Sequence, residues 1–574
     1  MYSSDKSTQI LIALLKAHGI NKVIASPGTT NAVFVASIQE DEYFTIYSAV
    51  DERSAAYMAC GLAQASGEPV VITCTEATAS RNYLPGLTEA YYRKLPILAI
   101  TGNHGSNNVG HLHTQAIDRT RIPIDAIKYS TSIGHCNNAE DEWFTTVEIN
   151  KAILELTHNG GGPVHIDLRM SREWNFDTDK LPSTRVIRRI CINDIFPKLP
   201  NGRIAIVIGA HKEFTPEETS VIEAFCNNHN VAVYTDIISG YYGAHRINAA
   251  ILVAQKQYKS PILDVDLTIH IGEMGWSNVN SKQTWRISED GEIRDTFHNL
   301  TYLFEMDITS FFNHYLNESE EDNSYYDLCK NEINVILSSI PELPFSNAWM
   351  ALKTIKLLPE DSIFHAGILN SFRCWNFHLF DSSIKTSCNF GGFGIDGGVS
   401  TLIGSSLAQP GKLHIGVFGD LAFFYDLNCL GNRHLGSNLR IILINNGKGN
   451  EFRNSIHPAS MFGQAGDAYI AASGHFGYKS PDLVRNFTQN LGFLYYAATS
   501  KEDYLEKISK ILNPNGGKPM ILEVFTDTED ESLALEIIHN LKTSLSGSFN
   551  TKLRKIANQT IGTKNIARIK KIIK

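Results

Sequence analysis

GDLAFFYDLN at 419–428, followed by RIILINNGKGNEF at 440–452, is the stretch on which the reading of this chain turns. An acid after a glycine turn, then an apolar strand ending in paired amides about one βαβ unit later, makes a small oxygen cage. Asp420 and Asn446 offer side-chain oxygens, and Lys448 offers a main-chain carbonyl. Hard divalent cations such as Mg2+ take ligands of this kind and fill the remaining positions with water and phosphate oxygens. The turn at Gly419 also opens a helical run expected over 423–430, and the first amides of a helix suit an anion. Metal and helix end together point to a bound diphosphate over Gly419, Asp420, Leu421 and Ala422. Alone, Gly-Asp and Asn-Asn are also ordinary turn and strand-end dipeptides, so the rest of the chain decides.

With 574 residues the length allows three or four domains. A hydrophobic content of 43% and a charged content of 19% describe an ordinary globular composition with ample core. Nine scattered cysteines without a CxxC pair indicate neither a disulfide framework nor a zinc site. They read as reduced core residues of a cytoplasmic protein. At the N-terminus Ile10, Leu11, Leu14 and Leu15 recur at helical spacing between Lys6 and Lys16, unlike a signal peptide. No apolar run reaches the roughly 18 residues of a membrane span. The net charge of −9 hides an asymmetry, because residues 541–574 contain nine Lys or Arg and no acid.

Apolar strands are expected at 22–26, 69–74, 96–101 and 162–167, alternating with helices at 54–64, 84–92 and 145–156. Such alternation predicts parallel sheets covered on both faces. A polar linker is expected over 171–183. A second unit follows, with strands at 203–209, 231–235 and 267–272, a helix at 217–227 and an acidic turn at 317–322. A third unit carries the 419–452 motif. The expected architecture is an α/β chain of three doubly wound parallel-sheet domains, at 1–180, 185–340 and 345–540, with a basic tail at 541–574. The first and third are similar in size and alternation without a convincing sequence repeat.

SPGTTNA at 26–32, VDERSAAYMACGLAQASG at 50–67 and CTEATASRNYLPGLTEAYYRKLPILAITG at 74–102 resemble the pyrimidine-binding domain of thiamin-diphosphate-dependent enzymes. FGIDGGVST at 393–401 and the Gly-Asp to Asn-Asn motif resemble their diphosphate-binding domain. The likeness is clear over 20–120 and 361–455 and weak elsewhere. It implies thiamin diphosphate and Mg2+ as cofactors, with pyrimidine-binding, central and diphosphate-binding domains in that order. Glu52 would be the catalytic carboxyl that shares a proton with a ring nitrogen of the aminopyrimidine, a task that burial assists by raising a carboxyl pKa. Ile395 matches the aliphatic wedge that holds the cofactor bent, and Gly394 lets the main chain come close. Gly28 and Asn82 fall within the cofactor-binding segments. In this family the two halves of a site come from different subunits, which implies a homodimer or a dimer of dimers.

The nearest branch of the family joins a unit derived from a 2-oxo acid to a polyanionic acceptor held by arginines. Here Thr30, Asn103 and Phe390 stand where those arginines fall, and Glu76 and Glu451 add carboxylates. Arginine forks are a main source of specificity for such acids, and Thr or Phe does not replace them. A different acceptor, polyhydroxylated or cationic, is therefore expected near Thr29, Thr30, Glu76 and Glu451. On the donor side Ser371 resembles the family position near the donor carboxylate. Arg373 suits a distal carboxylate, which keeps 2-oxoglutarate open. Gln115 matches a pocket-lining position, and His113 beside it suits proton relay. The expected reaction is decarboxylation of a 2-oxo acid with transfer to a second carbonyl or enone. The alternatives are a simple decarboxylase and a catalytically silent scaffold. The tail spaces Ile566, Ile569, Ile572 and Ile573 on one helical face with basic residues opposite, a pattern suited to peripheral contact with an anionic membrane. With an acidic body and no recognised motif, nucleic acid is not an expected partner.

Overall fold

Alternate side chains of the strand Val70–Cys74 enter two different cores. Val71 joins Leu98, Ile100 and Ile166 with Ile10, Leu11 and Leu14 of the helix Lys6–Ala17. Val70, Ile72 and Cys74 join Ile97 and Ala99 with Ala55, Ala59 and Ala63 of the helix Glu52–Ser66. A period of two with apolar residues in both registers is what a sheet covered on both faces requires. Each fully buried aliphatic side chain there contributes about 1.5–3 kcal/mol.

The computed structural model describes residues 1–119, 121–170, 174–275, 279–316, 324–475 and 482–542. The acidic turn at 317–322, the start of the expected linker at 171–173, and the tail beyond 542 lie outside the described residues, so the membrane expectation for the tail does too. The chain divides into two compact units, residues 1–196 with 290–305, and residues 197–289 with 306 onward. Among the described residues no helix is long and apolar enough to cross a membrane.

The first unit is built on β1 (Lys22–Ala25), β2 (Thr45–Ser48), β3 (Val70–Cys74), β4 (Ile97–Asn103), β5 (Tyr129–Ile133) and β6 (Val164–Arg169). All are parallel, in the order β2-β1-β3-β4-β6-β5. The same unit pairs Arg188–Cys191 with Leu300–Glu305. The edge strands β2 and β5 are the two that the apolar pattern does not signal, because both are polar and partly exposed. The helix α1 (Glu52–Ser66) starts where Asp51 accepts a hydrogen bond from the Arg53 amide. It stops at Gly67, whose φ of 69° is left-handed. It lies tight on the helix Leu84–Tyr92, because a Cβ at Gly86 would come within 2.5 Å of the Ala56 Cβ.

In the second unit the strands Ile204–Ile208, Val231–Tyr234, Arg246–Ile247, Leu267–Ile271 and Thr284–Ile287 pair in parallel. Its other sheet comprises β7 (Ile363–Ala366), β8 (Lys385–Cys388), β9 (His414–Gly419), β10 (Leu439–Asn445), β11 (Leu494–Ala498) and β12 (Met520–Phe525). It too is wholly parallel, in the order β8-β7-β9-β10-β12-β11. Numbered from its own first strand, that is the order of the N-terminal sheet. Parallel sheets buried on both faces, joined through helices, make this an α/β chain as the alternation predicts.

Candidate active site

The order of the C-terminal sheet reverses between β7 and β9, and crevices at such reversals open at the carboxyl ends of the strands. Strand β9 ends at Gly419, and α4 (Asp420–Tyr425) begins at the next residue with no loop between. This helix opens three residues earlier than the sequence suggests and is shorter. It ends before Asp426, whose carboxylate accepts the Ser400 amide and hydroxyl at 2.6 Å each, at the first turn of α3 (Gly398–Ala408).

Asp420 is buried, and its two oxygens accept the Leu421 amide at 2.7 Å and the Gly447 amide at 2.6 Å. Burial pushes its carboxyl up to about 6 against the pull of those main-chain donors. Gly447 takes a φ of 78°, which turns its N–H toward Asp420 just past β10. The two asparagines of the pair divide the work. Asn445 is fully buried and donates to Glu523 Oε1 at 2.7 Å, while Tyr495 holds the other oxygen of that carboxylate. Asn446 is half-buried, and the Lys448 amide approaches its Oδ1 at 3.4 Å. The Lys448 ammonium pairs with Asp467 at 2.8 Å, which Arg453 also holds.

The donor set fits a hard cation. Among the described residues no Lys, Arg or His forms an ion pair with Asp420, leaving a buried carboxylate whose charge a metal would balance. No cluster of three His, Cys, Asp or Glu exists among the described residues; a cation held here would draw its oxygens from a carboxylate, an amide and the main chain. A Cβ added at Gly419 would meet nothing within 4 Å, so there is room in front of α4. Leu421 and Ala422 are half-buried on its first turn.

Around this edge, Gly394 is exposed and Ile395 half-buried in the loop that leads into α3. Phe390 packs at a tilt on Phe372 at 5.2 Å and edge to face on Phe393 at 5.6 Å, so an aromatic cluster occupies one of the positions singled out for its missing arginine. Ser371, on α2 (Asn370–Trp375), accepts from Asn347 Nδ2 at 3.2 Å. Arg373 and Glu451 are bound to each other. Glu531 was not signalled by any motif. Both of its oxygens accept the Asn347 amide at 3.1 Å, Thr526 donates at 2.8 Å, and burial with Asp420's charge lifts its carboxyl to about 7. A carboxylate on the apolar stripe Glu531, Ala534, Leu535, Ile538 is the signal that would have found it.

In the first unit the order reverses between β1 and β3. Gly28 follows β1, and a Cβ there would strike Thr75 at 2.5 Å. Thr30 is buried with its hydroxyl 2.7 Å from that of Thr75, whereas Thr29 is exposed. Glu76 is buried 3.9 Å from His104, lining a cavity of about 30 Å3 with Asn103, Arg119 and Asp167. Arg119 pairs with Asp167 at 2.8 Å, another contact no motif announced. Glu52 sits half-buried on the first turn of α1; Val50 just before it, and Tyr57 and Met58 further along the helix, are 81%, 48% and 45% exposed. His113 and Gln115 (φ 68°) are exposed in the loop after β4, and Asn82 is exposed at the end of the helix Thr78–Asn82. Thus Gly28, Thr30 and Glu76 gather around one strand reversal, and Asp420, Asn446, Ser371, Arg373 and Glu451 around the other. Glu52 belongs to one unit and Asp420 to the other.

Residues 5–122 match the family model described as thiamine pyrophosphate enzyme, N-terminal TPP binding domain. Three 2-succinyl-5-enolpyruvyl-6-hydroxy-3-cyclohexene-1-carboxylate synthases are similar over nearly their whole length. That of Phocaeicola vulgatus is 30% identical over 564 residues, covering 94% of this chain and 99% of the relative. That of Bacteroides thetaiotaomicron is 30% identical over 570 residues, covering 94% and 100%. That of Flavobacterium johnsoniae is 27% identical over 571 residues, covering 93% and 99%.

Proposed function

Since the chain belongs to the thiamine pyrophosphate enzymes, in the family of these synthases, we propose that it decarboxylates a 2-oxo acid and transfers the remaining acyl unit to a second carbonyl or enone. It is a thiamin-diphosphate-dependent enzyme of carbon–carbon bond chemistry. The observation that carries the reading is Asp420, a buried carboxylate at the bare end of β9 and beside the turn after Asn446.

Asp420, Asn446 and the Lys448 carbonyl would hold Mg2+, and the Ala422 amide would face the diphosphate, while the Leu421 amide stays on Asp420 and fixes its carboxylate. Ile395 supports the cofactor from the loop before α3, with Gly394 leaving space beside it. Bound thiamin diphosphate supplies the electron sink for loss of CO2. Glu52 holds and returns a proton at the pyrimidine, with Gly28 and Asn82 in the same half of the site. Thr29, Thr30 and Glu76 border the acceptor, and Gln115 and His113 lie on the loop that would cover it. The exposed apolar side chains Val50, Tyr57 and Met58 on the segment that carries Glu52 favour a homodimer in which each protomer's Glu52 serves its partner's Asp420. The chain works in the cytoplasm, in keeping with its unpaired cysteines.

The test is CO2 release from a panel of 2-oxo acids with Mg2+ and thiamin diphosphate, with product analysis in the presence and absence of an added aldehyde or ketone. A ligated product supports transfer, and an aldehyde alone points to a simple decarboxylase. Cofactor uptake without CO2 from any acid would sink the proposal.

A further inference from the structure

Arg373 and Glu451 lie 78 positions apart and close on each other as a two-pronged pair. Arg373 Nη1 donates to Glu451 Oε2 at 2.6 Å and Nη2 to Oε1 at 2.9 Å. The two side chains are only 8% and 12% exposed. Asn370 Oδ1 accepts from Arg373 Nη1 at 2.7 Å and from Asn454 Nδ2 at 2.8 Å, and Asn454 Nδ2 also reaches Glu451 Oε2 at 3.2 Å. Asn370 and Arg373 lie on α2, which follows β7; Glu451 and Asn454 follow β10. These two strands flank β9, so the network joins the segments on either side of the strand end that presents Asp420. Leu369, the residue that leads into α2, is held at φ 69° and ψ −118°, a strained backbone of the kind found where a side chain must be aimed.

We propose that Glu451 is the built-in occupant of the Arg373 guanidinium, so that the donor taken by this site is a 2-oxo acid with an uncharged side chain rather than a dicarboxylic one. The inference rests on the decarboxylation reading above and assigns it a substrate class. A guanidinium fork matches one carboxylate edge to edge, and that edge is taken. An incoming carboxylate must displace a tethered one that is already aligned, which gives the protein group the advantage of intramolecularity. Displaced, Glu451 would be left as a poorly solvated anion beside the newcomer, two like charges in one small space. Apolar rings neighbour the pair: buried Phe372, adjacent to Arg373 on α2, meets buried Phe390 at a tilt, and Phe390 meets Phe393, 47% exposed in the Ile395 loop, edge to face. That cluster suits an alkyl or aryl tail.

The experiment compares CO2 release from 2-oxobutyrate and from 2-oxoglutarate by the full-length protein with Mg2+ and thiamin diphosphate. Wild type is expected to favour 2-oxobutyrate by about tenfold or more in kcat/KM. Glu451→Gln keeps the shape and removes the charge; it should move the ratio toward 2-oxoglutarate by about tenfold, chiefly through a lower KM for the diacid. Adding Arg373→Met to that variant should erase the gain. A wild-type preference for 2-oxoglutarate overturns the inference and needs no variant to fold. A folded Glu451→Gln protein with an unchanged ratio overturns it equally, reducing the pair to a structural clamp. CO2 from neither acid, nor from any other 2-oxo acid, breaks the decarboxylation reading and takes this inference with it. CO2 with the wrong preference breaks this inference alone.

Discussion

The N-terminal and C-terminal six-stranded sheets share one strand order, yet they dress the same edge with different chemistry. Where the first sheet reverses, after β1 and β3, the paired groups are hydroxyls, Thr30 against Thr75, with Gly28 pressed onto the same threonine. Where the second reverses, after β7 and β9, the groups are an arginine–glutamate pair and a buried aspartate. After the edge strand β2 comes an acid, Glu52; after the matching edge strand β8 comes an aliphatic side chain, Ile395. On the proposed reading, one scaffold offers a proton-exchanging edge and an ion-binding edge, and the short segments beyond the strands decide which.

If that division is right, damage should be unequal at matching positions. The largest effect is expected from Asp420→Ala, with CO2 release down about a thousandfold or more, and Mg2+-dependent cofactor uptake lost by calorimetry. Retained uptake would break the comparison at its strongest point. Glu52→Gln should come next, lowering turnover by about 10²–10⁴-fold. Cofactor affinity should change little, since the carboxyl exchanges a proton rather than holding the charged end. A third outcome concerns pH. Burial, with Asp420's charge adding, lifts the Glu531 carboxyl from 4.5 to about 7, so the fold favours its protonated form. The stability this group contributes is fully present below about pH 4.5 and is lost as pH rises through about 7, by up to about 3 kcal/mol. Denaturant titrations should show that slope in wild type and a flatter one in Glu531→Gln. The smallest effect is expected from Thr75→Ala on the hydroxyl-paired edge. It removes one hydrogen bond worth about 1 kcal/mol and should leave turnover within about tenfold of wild type. A collapse of activity there would show that the first sheet's reversal is as chemical as the second's.

Much of the scaffold was legible because buried parallel strands announce themselves as apolar runs. The expectations at 22–26, 69–74 and 96–101 correspond to Lys22–Ala25, Val70–Cys74 and Ile97–Asn103 within a residue or two. Thr45–Ser48 and Tyr129–Ile133 escaped notice because an edge strand with exposed faces carries no such run. The helix expected over 423–430 begins instead at Asp420, since a strand can pass into a helix with no turn residues to mark the change. The shared strand order left no repeat in the sequence, because parallel pairing asks only for apolar bulk and not for matching residues. The meeting of Asp420 with the turn after Asn446 was readable from the spacing of Gly-Asp and Asn-Asn. The meeting of Arg373 with Glu451 was not, because nothing local ties residues 78 positions apart, and the same holds for Asn347 with Glu531, 184 apart.

Gly419 lies in register with Ile444, and the next residue along is already Asp420. With no slack between sheet and carboxylate, the position of that oxygen pair is dictated by the ladder itself. A laboratory wishing to retune this enzyme could therefore lengthen the turns carrying Ile395 or Glu451 while the Asp420 carboxylate stays put. One extra residue inserted after Gly419 would instead swing the acid away from Gly447, and no repair confined to the turns would bring it back.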